Sequence, residues 1–241
     1  APLRRCELCT ENKISELVKK MSLQNSKVSL PVIKRLPKYY RYLADMKKNG
    51  VIKVSSSELA HMMGTTASQV RQDFNCFGGF GQQGIGYHVD VLLDAVSHLL
   101  FSETKLDTIL IGTGRLGTAI SSYLTVEAKG YRLIGAFDKK AEVIGQELCG
   151  VAVRDVQELE SFCKKYHPVV AVLCIPRESA KELAPTLVSL GIKGFWNFSH
   201  YDITMKHPDA IVENVHMNDS LMTLSYKLAL AEAGDSGQAA G

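Results

Sequence analysis

Ile111-Gly112-Thr113-Gly114-Arg115-Leu116-Gly117 decides the architecture of this chain. A GxGxxG pattern occurs often by chance, and its context gives it meaning. Here the apolar run Leu106–Ile111 precedes it, and Leu116–Leu124 follows with helical spacing. In a strand–turn–helix setting Gly112 permits the tight turn. Gly114 lets the backbone approach a pyrophosphate, and Gly117 lets the helix pack closely on the strand. The helix N-terminus then offers N–H donors and a partial positive charge to a phosphate. A second strand, Tyr131–Phe137, ends at Asp138, 21 positions after Gly117. A carboxylate there binds a ribose 2′-hydroxyl and repels a 2′-phosphate, which favours NAD+ and NADH over their phosphorylated forms.

Toward the C-terminus, strands and helices keep alternating. Val156, Leu159 and Phe162 mark a helix, and Val169–Ile175 is a wholly apolar strand, as expected for one buried on both faces. Glu178–Leu190 is a helix stopped by Gly191, and Gly194–Phe198 and Ala210–Val212 are further strands. Asn218–Glu232 is a last helix carrying Leu221, Leu224 and Leu228 on one face. The pattern predicts a doubly wound α/β domain of Rossmann type over residues 101–216, a terminal helix over 217–232 and a disordered tail over 233–241.

Toward the N-terminus the signals change. Ile33, Leu36, Tyr40 and Leu43 fall at helical spacing within 32–48, which puts Pro37 near the first turn. Ser55 and Glu58 form a capping box opening a second helix that ends at Gly64. Thr66 caps a third, with Ala67, Val70 and Phe74 inward and Ser68, Gln69, Arg71, Gln72 and Asn75 outward. Two short helices across a glycine-containing turn form a helix-turn-helix whose second helix fits a major groove. Arg71, Gln69 and Gln72 suit base edges, and Thr66 and Ser68 suit phosphates. Phe77–Tyr87 holds five glycines among aromatics, the composition of a β-hairpin or wing. Val89, Leu92, Leu93, Val96 and Leu100 then mark a linker helix closing a DNA-binding domain over 31–100, and residues 1–30 form an extension.

Charge divides the same way. Residues 1–100 carry 14 Lys and Arg against 8 Asp and Glu, and residues 101–241 carry 14 against 17, so the N-terminal part is the one suited to a polyanion. No apolar run approaches a membrane span, and no secretory signal opens the chain, so a cytoplasmic protein is expected. Cys6 and Cys9 make one CxxC without a second pair; a zinc site, a redox pair and an inert terminus all remain open, and the last is favoured. No catalytic constellation and no metal site emerge. His200 and His216 lie where they could face a cofactor, yet loop histidines are the simpler account.

Several stretches together resemble the Rex-type redox-sensing transcriptional repressors. They are Arg35-Leu36-Pro37-x-Tyr39-Tyr40-Arg41, Gln69-Val70-Arg71-x-Asp73-Phe74, Phe77-Gly78 through Tyr87, Gly112–Gly117 with Tyr123, Ile175-Pro176-Arg177-Glu178, Gly191–Gly194 with Asn197-Phe198, and Val212-Glu213-Asn214-Val215. The resemblance implies a homodimer of winged-helix and Rossmann domains with the C-terminal helix exchanged between subunits. It implies operator binding when NADH is scarce and release when NADH binds, with NAD+ competing. It places Tyr39, Arg41, Thr66, Ser68, Gln69, Arg71, Gln72 and Gln83 at double-stranded DNA. It places Gly112, Thr113, Gly114, Arg115, Leu116, Gly117, Tyr123, Asp138, Ile175, Pro176, Asn197 and Phe198 at the cofactor. His216 and Met217 join Tyr123, Asn197 and Phe198 as candidates near the nicotinamide and the dimer interface. The sequence departs from the commonest family pattern at Gln72 and Gln83, where a basic residue is usual, and at His216, where Asp is usual. Two other classes stay open beside this one: a small NAD-dependent oxidoreductase, and a regulatory module for CoA or another nucleotide.

Overall fold

The structure, a computed structural model, describes residues 28–77, 86–101 and 104–238, with side chains as far as Glu232. The expectations for Cys6, Cys9, Gln83 and most of the glycine-rich wing lie outside the described residues. The chain divides into two compact units between Glu103 and Thr104.

The first unit opens with α1 (Leu30–Lys48), which begins on a proline, Pro31, in its first turn. That start lies ahead of the expected one, so Pro37 sits inside the helix and not near its first turn. The buried stripe is Val32, Leu36, Tyr39 and Leu43, and Ile33 is left 45% exposed. The expected stripe used Ile33 and Tyr40. The rotation follows from Tyr39, whose hydroxyl gains a buried carboxylate partner, Asp73, only when it faces inward. The carbonyl that Pro37 leaves unbonded belongs to exposed Ile33, where water can serve it.

Strand β1 (Lys53–Val54) leads to α2 (Ser56–Met63), whose capping box is formed as the sequence predicts: Ser55 Oγ accepts from the Glu58 N–H at 3.1 Å, and Glu58 Oε2 accepts from the Ser55 N–H at 2.6 Å. Gly64 ends the helix at φ 68. Helix α3 (Ala67–Asn75) is capped by Thr66, and β2 (Tyr87–His88) runs antiparallel to β1 before α4 (Val89–Leu100). This pairing returns the chain from the glycine-rich stretch onto the helices. One core holds α1 to α4, with Tyr39, Phe74 and Tyr87 in edge and tilted ring contacts.

The second unit is a seven-stranded sheet. Its strands are β3 (Leu106–Ile111), β4 (Tyr131–Asp138), β5 (Glu147–Leu148), β6 (Val151–Asp155), β7 (Val170–Leu173), β8 (Gly194–Asn197) and β9 (Ile211–Asn214). Their spatial order is β5-β6-β4-β3-β7-β8-β9, parallel throughout except for the short β5–β6 hairpin. Helices α5 (Arg115–Val126), α6 (Leu159–Tyr166) and α7 (Arg177–Ser189) make the crossovers. Two apolar clusters, one on each face, bury β3 and β7 between them. The order reverses beside β3: β4 lies on one side and β7 on the other, so a crevice opens past the ends of β3 and β7.

The last helix, α8 (Met217–Gln238), runs six residues past the end expected at 232, so the tail expected to be disordered from 233 is helical as far as Gln238. Leu221, Leu224 and Leu228 form one stripe, and Met222, Tyr226 and Leu230 form a second. Each of these side chains is more than half exposed in the single chain.

Candidate functional site

The glycine loop sits at the crevice, and its three glycines have distinct constraints. Gly112 adopts φ +91, and a Cβ on it would lie 2.5 Å from the Cys174 carbonyl oxygen. A Cβ on Gly117 would lie 1.9 Å from the Gly112 carbonyl oxygen, so helix and loop touch there and only glycine fits. A Cβ on Gly114 would meet nothing within 4 Å. Packing among the described residues therefore does not demand glycine at 114. Gly114 is the N-cap of α5 and has no side chain to satisfy the first-turn N–H groups. An open space over uncapped N–H donors at a helix N-terminus suits a phosphate.

Asp138 stands at the end of β4, next to this loop. Its Oδ2 accepts from the Thr113 N–H at 2.7 Å and from Thr113 Oγ1 at 2.9 Å. Its Oδ1 accepts from the N–H groups of Lys139 at 2.8 Å and Lys140 at 3.1 Å. Burial alone would raise this carboxyl, but these four donors outweigh it and hold Asp138 below the usual carboxylate range. The carboxylate is thus fixed, ionised and aimed. Its one side-chain donor is the Thr113 hydroxyl, the only one of the four that can rotate away without moving backbone.

Aromatic groups of α5 meet those at the end of β8. Tyr123, on α5, is 46% exposed, and its ring stands 6.1 Å from that of Trp196, which in turn meets Phe198 edge-on at 4.9 Å. Trp196 was not among the predicted site residues, although it is the chain's one tryptophan and stands in a predicted strand. Ile175 packs against Gly112, and exposed Pro176 caps α7. Cys174 lies beneath the loop, where burial pushes its thiol up to about 12, so it is a packing group.

Asn197 does not belong with these contacts. It is fully buried, and its Nδ2 donates to the Tyr201 carbonyl at 2.7 Å and to Asn214 Oδ1 at 2.8 Å. Its Oδ1 accepts from the Ser199 N–H and hydroxyl. Its side chain has no capacity left for a ligand. It ties β8 to β9 and to the turn that follows. His200 and His216 meet each other instead, Nδ1 to Nδ1 at 2.8 Å.

In the first unit, Asp73 organises the candidate DNA-reading helix. It is completely buried and accepts from Arg35 Nε and Nη2, both at 2.7 Å, from Tyr39 Oη at 3.0 Å and from Gln69 Nε2 at 2.8 Å. One expected DNA contact is thereby corrected: Tyr39 has no exposed surface. Gln69, half-buried, donates one amide N–H to Asp73 and its backbone N–H to the Thr66 cap, which leaves its Oε1 outside this network. The exposed face of α3 consists of Ser68, Arg71, Gln72 and Asn75, with Thr66 at its start, and Arg41 is exposed on α1. Arg71 is steadied by Ser56 Oγ at 3.1 Å. Among the described residues no helix is long and apolar enough to cross a membrane, and no group of three metal-ligating side chains is found.

Residues 27–75 match a family described as putative DNA-binding protein N-terminus, and residues 103–201 match one described as CoA binding domain. The redox-sensing transcriptional repressor Rex of Caldicellulosiruptor saccharolyticus is 47% identical over 201 residues, covering 83% of this chain and 91% of that protein. The Rex of Thermoanaerobacter pseudethanolicus is 45% identical over 205 residues, covering 85% and 91%. Among solved structures, RSP in complex with β-NADH is 42% identical with a TM-score of 0.79, covering 87% of this chain and 98% of that one. RSP in complex with β-NAD+ and operator DNA is 44% identical with a TM-score of 0.78, covering 88% and 98%.

Proposed function

The chain belongs to the Rex family of redox-sensing transcriptional repressors, and from that premise we propose that it is an NADH-responsive repressor acting as a homodimer on operator DNA in the cytoplasm. The observation that carries the cofactor assignment is the pairing of Gly114 with Asp138. One leaves open space over uncapped helix N–H groups, and the other holds an ionised carboxylate beside the same loop. A dinucleotide places its pyrophosphate at the first and its adenosine ribose at the second. Gly112, Thr113, Arg115, Leu116 and Gly117 shape the pyrophosphate site. Tyr123, Ile175, Pro176 and Phe198, with Trp196 behind them, line the side left for the nicotinamide. Asp138 also separates this reading from CoA, because a carboxylate at the ribose repels a phosphorylated ribose.

Arg71 and Gln72 read bases, while Thr66, Ser68 and Arg41 hold phosphates. In the dimer, α8 packs on the partner subunit, which covers its two apolar stripes. A helix apolar over most of its circumference needs partners on more than one side, as an exchanged helix has. Two related recognition helices then face half-sites about one DNA turn apart. NADH can release DNA only by binding one arrangement of the dimer better than the other. As a regulator the chain needs no catalytic acid or base.

The test is an operator titration at fixed salt without nucleotide, with NAD+ and with NADH. Release by NADH alone is the expected result. DNA binding indifferent to both nucleotides overturns the sensor reading, and turnover of NADH with a carbonyl substrate revives the oxidoreductase.

A further inference from the structure

We propose that His200 and His216 form a chelating site for a divalent transition-metal ion of the Cu2+ and Ni2+ class. The two histidines are 16 residues apart and come from different segments, one just past β8 and the other between β9 and α8. His200 is held at φ 59, a left-handed conformation that costs a non-glycine residue energy and turns it toward its partner. The rings lie 17° from parallel with centroids 4.8 Å apart, and their Nδ1 atoms are 2.8 Å apart.

Two imidazole nitrogens that close need something positive between them. Without metal a single proton serves: one ring carries it on Nδ1 and donates, and the other accepts. A metal ion does the same for both lone pairs at once. Metal–nitrogen bonds of about 2.0 Å meeting at a right angle span about 2.8 Å, whereas a tetrahedral angle spans roughly 3.3 Å. The 2.8 Å separation is the length of the hydrogen bond itself; a right-angled bite of tetragonal Cu2+ or Ni2+ keeps the nitrogens at that spacing, whereas tetrahedral Zn2+ requires them to move apart. To bind, each ring turns slightly so that the two lone pairs converge beside the line joining the nitrogens. The bridging proton moves to Nε2 of its own ring through solvent, and both imidazoles stay neutral. No third His, Cys, Asp or Glu joins the pair among the described residues, so water completes the coordination and the affinity is modest. His200 is exposed, so the ion has a way in. Occupancy ties the end of β8 to the entry of α8.

The test is calorimetric titration of the untagged full chain with Ni2+ alone, on the native sequence, on His200→Ala, on His216→Ala, and on Cys6→Ser with Cys9→Ser. The double serine variant controls for metal held by the N-terminal thiols. Circular dichroism confirms the fold of each variant. One saturable site per chain is expected in the native and double serine chains, and its loss in each histidine variant. Absence of saturable binding in the native chain overturns the proposal. So does binding that survives both histidine substitutions or vanishes in the double serine variant.

Discussion

Arg35 of α1 and Asp73 of α3 form a two-pronged ion pair, with Nε and Nη2 each donating to a separate carboxylate oxygen at 2.7 Å. The carboxylate is fully buried, and the pair joins the first helix of the DNA-binding unit to its recognition helix. Orientation of α3 is thus set by a polar lock as well as by Val70 and Phe74 packing.

Asp73→Asn leaves the Arg35 guanidinium without its counter-charge. Arg35 keeps part of its surface in water, so the loss is that of its charge-assisted hydrogen bonds, about 1.5–3 kcal/mol. We expect operator binding to be lost and the thermal midpoint of the N-terminal unit to fall, while NADH still binds; unchanged operator affinity would show that α3 is held without the lock. Burial alone would raise the Asp73 carboxyl, but bonds from Arg35, Gln69 and Tyr39 hold it below its ordinary range. A depressed carboxyl contributes stability that is present above its unfolded value, about 3.9, and is lost as pH falls through the lower folded one. The Asp73 contribution is therefore lost as pH falls below about 4, and Asp73→Asn removes that part of the pH dependence.

Arg71→Ala weakens operator binding by about 1–3 kcal/mol, roughly a fivefold to 150-fold loss at fixed salt, with cofactor binding intact. Fluorescence anisotropy on one operator measures it. Gln69→Ala acts differently, through the position of α3, and lowers stability together with affinity. Equal base preference in native and Arg71→Ala chains would remove Arg71 from readout.

Gly114→Val and Gly117→Ala separate binding from folding within one loop. A side chain at 114 enters space that no described residue occupies, so the fold survives and NADH binding is lost. The result is a repressor that NADH cannot release. At 117 the added carbon meets the Gly112 carbonyl at 1.9 Å, and the whole second unit loses thermal stability. Normal NADH release in folded Gly114→Val would refute the placement of the pyrophosphate.

In the proposed site, Asp138→Asn removes the charge that would repel a 2′-phosphate while keeping a group able to bond a hydroxyl. Discrimination between NADH and NADPH, measured by tryptophan fluorescence quenching, falls at least tenfold. Discrimination unchanged in the variant would mean that the ribose lies elsewhere.

Leu224→Glu with Leu228→Glu places two charges on one exposed stripe of α8. Sedimentation at micromolar concentration is expected to show a dimer for the native chain and a monomer for the variant, with weak operator binding. A variant that remains dimeric would locate the interface away from this stripe.

The parts legible in the sequence were those set by local chemistry. The Ser55–Glu58 box, Gly64 and the Gly112–Gly117 turn depend on residues a few positions apart, and each was placed correctly. The apolar strand β7 announced itself by burial on both faces. The strand β6 was missed: its Val151, Ala152 and Val153 are brief, and Arg154 and Asp155 break the apolar run. Long-range polar partnerships were invisible. Nothing near Tyr39 in the chain reveals that Asp73, 34 residues later, takes its hydroxyl. Asn197 looked like a ligand contact because its motif marks it, yet its amide is consumed by Tyr201, Asn214 and Ser199. Pattern matching locates such residues without telling support from contact.

The two bare stripes of α8 also make stability a matter of abundance. In the proposed dimer, the folded state that hides them exists only at a rate of encounter set by concentration. For a bimolecular species each tenfold dilution removes about 1.4 kcal/mol of apparent stability. At low copy number such a dimer is partly dissociated and its apolar helix is open to proteases, while operator DNA, which takes both recognition helices at once, draws the equilibrium back toward the pair. Copy number thereby becomes an input to the switch alongside the nucleotide.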